Sequence, residues 1–241
     1  MAIMTTTAGA LLSLVVAGQS IARLQPEAAD LQQRARVATH VLATELSRAG
    51  AGSDAGPLAG PLSARFSPVA ASADGGLTIW YVSEGAAQGT LTAALPADAI
   101  AASIALDAAC AGGSCGFAAD TTALIFDNSG CHDLARIDAA APGGLVFGAS
   151  PARSCSYAAG AAIAQGEVRT FRVDPASRQL LRRDEATGIS VPVSDNVAAM
   201  AIDYPAPGRI RVTLRFVPAL LRQVPDLVVS LDARPPNLQE R

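Results

Sequence analysis

From Met1 to Ala22 the chain carries no charged residue, and Arg23 is the first. An uncharged run of roughly 20 residues is long enough to cross a hydrocarbon core. Thr5, Thr6, Thr7, Gly9, Ser13 and Gln19 dilute its Leu11, Leu12, Leu14, Val15 and Val16. A cleavable signal peptide would need a basic flank before the apolar stretch, and none stands there. Beyond Arg23 the chain is amphipathic. Leu24, Ala28, Leu31, Ala35, Ala38, Leu42 and Ala49 recur at spacings of three, four and seven, while Glu27, Asp30, Gln32, Gln33, Arg34, Arg36 and Ser47 fall mostly off that stripe. This predicts a helix whose apolar face packs on a core through Leu31, Ala35, Ala38 and Leu42. Pro26 removes one backbone hydrogen bond and predicts a kink, and Gly50 and Gly52 supply the stop.

The rest reads as β. Residues 50–75, rich in Gly, Ala, Ser and Pro, predict a loop. Short β-like runs come next: Leu77–Val82, Ala123–Phe126, Leu145–Phe147, then Glu167–Val173 and Gln179–Arg183 joined by the turn Asp174-Pro175-Ala176-Ser177. Val197–Tyr204, Arg209–Phe216 and Asp226–Asp232 complete the series. Arg209, Arg211, Thr213 and Arg215 alternate with Ile210, Val212, Leu214 and Phe216, the pattern of a half-buried strand. The expected class is α+β: a long hydrophobic-then-amphipathic helix over residues 1–49 (apolar half 1–22, amphipathic half 23–49), a loop over 50–75, and an antiparallel β-rich domain over 76–241 against which the helix packs.

Composition excludes several chemistries. All 18 basic residues are arginine, so a P-loop lysine, a Schiff-base lysine and a Ser–Lys dyad are ruled out. A net charge of −3 gives no footprint for nucleic acid. Cys110, Cys115, Cys131 and Cys155 are even in number and confined to one region, which suits two disulfides in an oxidising compartment. Their connectivity is open among three choices. The same cysteines with His132 offer a weaker zinc reading, since no CxxC pair is present.

Gly112-Gly113-Ser114-Cys115-Gly116 fits GxSxG formally. That motif works on a strand-to-helix turn with a later histidine, whereas here a glycine-rich loop leads toward a strand, and a disulfide-tied loop is the simpler reading. His40, between Ala38 and Val41, reads as a packed or boundary histidine. His132-Asp133 lacks an activated nucleophile, Asp184-Glu185 and Asp203 form no calcium loop, Arg182-Arg183 reads as a solvated face, and Trp80-Tyr81 as core. No catalytic residue, cofactor or metal is expected.

Three stretches together resemble a known family. Leu24-Gln25-Pro26-Glu27-Ala28-Ala29-Asp30-Leu31-Gln32-Gln33-Arg34, running on to Leu46-Ser47-Arg48-Ala49-Gly50, is similar to the helix of type IV minor pilins (PilW-like) and of the J-type pseudopilin of type II secretion. Phe171-Arg172-Val173-Asp174, Leu180-Leu181-Arg182-Arg183-Asp184 and Asp195-Asn196-Val197 look like the hairpin and following strand of those proteins. Arg209–Phe216, Val228-Val229-Ser230-Leu231 and Arg234-Pro235-Pro236-Asn237-Leu238 resemble their late strands and end. Residues 50–165 carry no likeness. The resemblance implies a pilin-like fold, no enzymatic activity, other pilin or pseudopilin subunits as partners, and a place in the inner membrane with a periplasmic domain, or in a pilus or pseudopilus, its tip included. The family's leader glycine, following aromatic residue and glutamate have no counterpart here, so the DNA upstream of Met1 is expected to continue the frame and encode them. Two alternatives stand beside this reading: an exported, membrane-anchored binding or adhesive β domain without a filament role, and a periplasmic serine hydrolase using Ser114.

Overall fold

The computed structural model of the chain describes residues 2–50, 68–72, 74–82, 86–106, 116–127, 131–148, 153–219 and 224–235, with helix side chains described from Leu24 onward. Helix α1 (Ala2–Arg48) continues through Pro26 and ends at Gly50, whose φ of 73° favours glycine and whose N–H donates to the Trp80 carbonyl at 2.8 Å. Thirteen strands come after it among the described residues.

The first sheet runs β1 (Val69–Ala71), β2 (Leu77–Tyr81), β8 (Ala162–Asp174), β9 (Gln179–Asp184), β10 (Ser190–Ser194), all antiparallel. The second is β11 (Val197–Asp203), β12 (Ile210–Phe216), β13 (Leu227–Ala233). α1 and these two sheets enclose one core. Leu31, Ala35, Ala38 and Leu42 are 0–3% exposed there, meeting Leu77, Ile79 and Phe171 of the first sheet and Ile210, Val212, Leu214 and Phe216 of the second. Each large apolar side chain so buried is worth roughly 1.5–3 kcal/mol, and the alanines bring the helix backbone close to the strands.

The remaining strands, β3 (Gln88–Leu91), β4 (Ala101–Leu106), β5 (Thr121–Phe126), β6 (His132–Ala141) and β7 (Gly144–Phe147), close on themselves. Their order is β8-β3-β4-β7-β6-β5, and β5 pairs back onto β8. The product is a six-stranded antiparallel barrel without edges. Alternate residues fill it: Leu91 faces Ile104, Ala102 faces Leu145, Ile137 faces Phe147, Ala123 faces Ala135 and Ile125 faces Ile163, all members of a second core. Pro142 and Gly143 (φ 73°) make the two-residue β6–β7 turn, which needs a positive φ at its second position.

This architecture corrects the expected α+β, pilin-like class. The described residues beyond α1 are mostly β, α1 is the one described helix, and the pilin-like arrangement of a helix on one sheet is not what forms. The physical reason lies in the middle third. Its strands are alanine-rich and carry little local β signal, but closure into a barrel gives each one two partners and a filled interior. β1 also falls inside the stretch expected to be a loop, while residues 51–67 lie outside those described.

Leu42, fully buried on α1, provides a test. Leu42→Asp places an unpaired carboxylate in the first core and should cost at least about 3 kcal/mol, whereas Gln32→Ala on the exposed face should stay within about 0.5 kcal/mol. Chemical denaturation of both variants checks this. Equal tolerance would mean that α1 does not share the core.

Candidate functional site

The packing stripe of α1 is bordered by polar ties. Arg34 reaches Asp30 at 2.7 Å and Asp195, in the β10–β11 turn, at 3.2 Å, while the Ser194 hydroxyl donates to the Arg34 carbonyl at 3.3 Å. Near the helix end Glu45, 5% exposed, accepts from Arg182 at 3.3 Å. The opposite face of α1 (Gln32, Gln33, Arg36, Val37, His40) is exposed.

Glu45 belongs to a polar layer between the two cores. Strand register sets Tyr81 beside Glu167 and Arg169 beside Asp184. The Tyr81 hydroxyl donates to Glu167 at 2.9 Å, Arg169 donates to Glu167 at 2.7 Å, and its other terminal nitrogen bonds Asp184. Burial, then the negative charge of Glu45 and the hydrogen bond to Glu167, push the Tyr81 hydroxyl up to about 12. Asp184 is drawn the other way: burial would raise it, but the Thr187 backbone N–H and Arg169 hold it below the usual carboxylate range. Each carboxylate of the layer has at least one cationic or hydroxyl partner, while the second oxygen of the buried Glu45 accepts no hydrogen bond; the ties fasten the strands and the helix together.

A second polar cluster sits at the barrel mouth. Cys131, just before β6, is joined to Cys155, 24 residues on, with Cα atoms 6.3 Å apart. A loop of that size is worth about 3–4 kcal/mol in the chain-entropy account. Beside it Asp133 occupies an inward position of β6, opposite Ile125, where an unsatisfied acid would be costly. It accepts four bonds: from the Ser154 N–H (2.8 Å), the Ser154 hydroxyl (2.5 Å), the Cys155 N–H (3.1 Å) and the Tyr157 hydroxyl (2.8 Å). Burial pushes this carboxyl up, and the Ser154, Tyr157 and Cys155 donors together outweigh it and hold it low. Tyr157 is correspondingly raised, by burial first and the Asp133 bond second. Arg153 closes the same end, its guanidinium 5.1 Å from the Phe147 ring centre and bonded to the Pro96 and Ala99 carbonyls.

Leu31, Ala35, Ala38 and Leu42 thus come together in one interface, and Cys131 with Cys155 in one bridge. Cys110, Cys115 and Ser114 lie outside the described residues. His132 is exposed while Asp133 points inward, so strand alternation separates the pair that a base would require. His40 is exposed rather than packed, and Arg182 reaches a buried acid instead of facing only solvent. Asp133, Arg153 and the Glu167–Arg169 pair carried no sequence signal, because their partners arrive from distant strands. Among the described residues no cluster of His, Cys, Asp and Glu is arranged to hold a metal, and no helix is long and apolar enough to cross a membrane.

No family model, curated protein or solved structure matches the chain. The resemblance to minor pilins and the J-type pseudopilin is corrected accordingly. It rested on the helix and the last third, and the molecule built around those stretches is mostly β, with no family or relative to support the assignment.

Asp133 gives a pH-dependent test. Its folded pKa is depressed, so the stability it contributes is full above the unfolded carboxylate value of 3.8 and is lost as pH falls through the folded value. Asp133→Asn should cost about 1–2 kcal/mol at pH 7, and the gap between variant and wild type should narrow below pH 4. Urea titrations at pH 7 and pH 3 measure both; a gap independent of pH would show that the carboxylate does not act through its charge.

Proposed function

We propose that the chain is an exported structural subunit that assembles with other subunits through its N-terminal helix, not an enzyme. The observation that carries this reading is α1 itself. Its amphipathic half is fixed in the first core from Leu31 to Ala49, while the part of the helix that precedes Arg23 is built of residues without charge. An uncharged helix that continues out of a packed amphipathic one suits a membrane or a bundle of like helices, where alanine, glycine and threonine permit close approach. The Cys131–Cys155 bridge supports an oxidising compartment for the β-rich part. The two polar clusters support a role without chemistry, since their carboxylates are held by donors instead of facing a cavity.

The test separates the two halves of α1. A photo-crosslinking residue at Leu14 in the full chain, expressed in its own host, should capture a small set of helical subunits identifiable by mass spectrometry. Leu14→Arg should abolish that capture while leaving the thermal transition of the β domain within about 2 °C of wild type. Capture of lipid alone, with unchanged fractionation of Leu14→Arg, would overturn the proposal in favour of a simple anchor.

A further inference from the structure

Four strand edges are present among the described residues, because the barrel has none. Three of them are blunted. β1 has only three residues. β10 carries Pro192 and a register shift beside it. β11 has a register shift after Val197 and lies against the β8–β9 hairpin, where the Val197 N–H donates to the Arg178 carbonyl at 2.8 Å. These are the devices by which sheets avoid unwanted pairing. β13 has none of these three, although α1 packs against it more extensively than against any other strand. It is seven residues long, contains neither proline nor glycine, and pairs with β12 in unbroken register from Leu227 to Ala233. No described strand pairs its other edge.

We infer that the free edge of β13 pairs with β13 of a second copy of this chain, antiparallel and centred on Ser230. Only this register engages all seven residues of both strands and keeps each face aligned. Leu227, Val229, Leu231 and Ala233 then continue the core-facing side across the junction, and Val228, Ser230 and Asp232 continue the outer side. Charge fits the same register. Asp232, already held by Arg211 at 2.8 Å, falls opposite Val228 of the second copy, so no like charges meet. The hydroxyl pair of Thr213 and Ser230, 3.0 Å apart, extends into a row of four. Beyond the strand ends, Asp226 falls opposite Arg234 of the second copy, and the two-fold repeats that pair at the other end. Both residues are exposed and of opposite sign, and Asp226, which Arg215 holds at 3.2 Å within the chain, would be shared between the two arginines. The joined sheet would have six strands.

The experiment uses the full chain in mild detergent. Ser230→Cys places two thiols opposite each other within about 4.5–5.5 Å at Cβ, so a short bis-maleimide should link most of the protein into dimers. Ala139→Cys, exposed on the barrel, should give none, and wild type controls for the native cysteines. Ser230→Lys sets two like charges face to face and should raise the dimer dissociation constant at least about tenfold with an unchanged melting temperature. Arg234→Asp should weaken it roughly three- to tenfold, and adding Asp226→Arg should restore it. A wild type that stays monomeric at high micromolar concentration overturns the inference, as does linkage at Ser230→Cys no greater than at Ala139→Cys. Because the Leu14 capture and the Ser230 linkage are read separately, loss of Leu14 capture with retained Ser230→Cys linkage would sink the helix reading and leave this one standing.

Discussion

β8 is one strand with four partners, and both cores depend on it. Residues 162–166 lie between β3 and β5 and close the barrel, while residues 167–174 lie between β2 and β9 in the sheet that supports α1. A strand of thirteen residues spans about 43 Å, more than either body needs alone. Along one face of it Ile163 sits in the barrel, Glu167 and Arg169 in the polar layer, and Phe171 in the core beneath the helix. Two apolar cores placed on one strand need a boundary, and the polar layer supplies it. The half-buried Glu167, Arg169 and Asp184 meet one another and Tyr81 only when β2, β8 and β9 are in this register, so a slip by one residue would turn Glu167 and Arg169 to the other side, leaving Tyr81 without its acceptor and Asp184 with only its local Ala186 and Thr187 N–H donors.

The helix and the barrel mouth are secured by the same kind of tie. Glu45 to Arg182 and Arg34 to Asp195 hold α1 at two points along its length, each linking it to an element more than a hundred residues away. At the barrel mouth Asp133 and the Cys131–Cys155 bridge join β6 to the segment that enters β8. Exposed ion pairs contribute little. Arg34–Asp195 is exposed, whereas Glu45–Arg182 and the Asp133 bonds are partly buried, and the main effect of these ties is to select one arrangement among several that the apolar contacts alone would permit. Alanine makes that selection necessary: a core so rich in Ala packs closely but offers few shapes by which to fix register.

How far the sequence foretold this depends on where each signal resides. β2, β5, β9, β12 and the β8–β9 hairpin carry β-branched and aromatic alternation or an Asp-Pro turn, and all are local. The turn works as its composition requires, with Asp174 accepting from the Ala176 N–H and the Ser177 hydroxyl, and Arg178 taking the positive φ. β3 and β4 hold small or polar residues around one or two large ones, and β6 sets only Leu134 and Ile137 among alanines and charged residues, so nothing in its ten consecutive positions announces a strand. What stabilises them is ring closure, a relation between residues as far apart as Gln88 and Ala164. The helix stripe was legible because helical spacing is local. Glu45 was not, since a charged residue in such a pattern reads as solvent-facing until Arg182 is seen to meet it. The family likeness failed for a related reason. It drew on the helix and on hairpins that many chains share, and the barrel that sets the architecture lay in the part with no likeness at all.

A filled barrel constrains what this part of the molecule can do. Ile125, Ile137, Phe147, Leu91 and Ile163 occupy its interior, and Asp133, Tyr157 and Arg153 seal the mouth with bonds to one another's elements. No apolar ligand can enter without displacing side chains packed at crystal-like density. Among the described residues, the barrel therefore offers its outer surface rather than its interior for contact. Outer surfaces differ in what they can recognise: the barrel offers side chains only, since every strand already has two partners, whereas the edge of β13 offers backbone donors and acceptors in a fixed spacing. Side-chain surfaces can be rebuilt by substitution, but an edge is set by topology. In this fold one edge among the described strands is neither short nor interrupted, and it belongs to one of the two sheets that enclose α1.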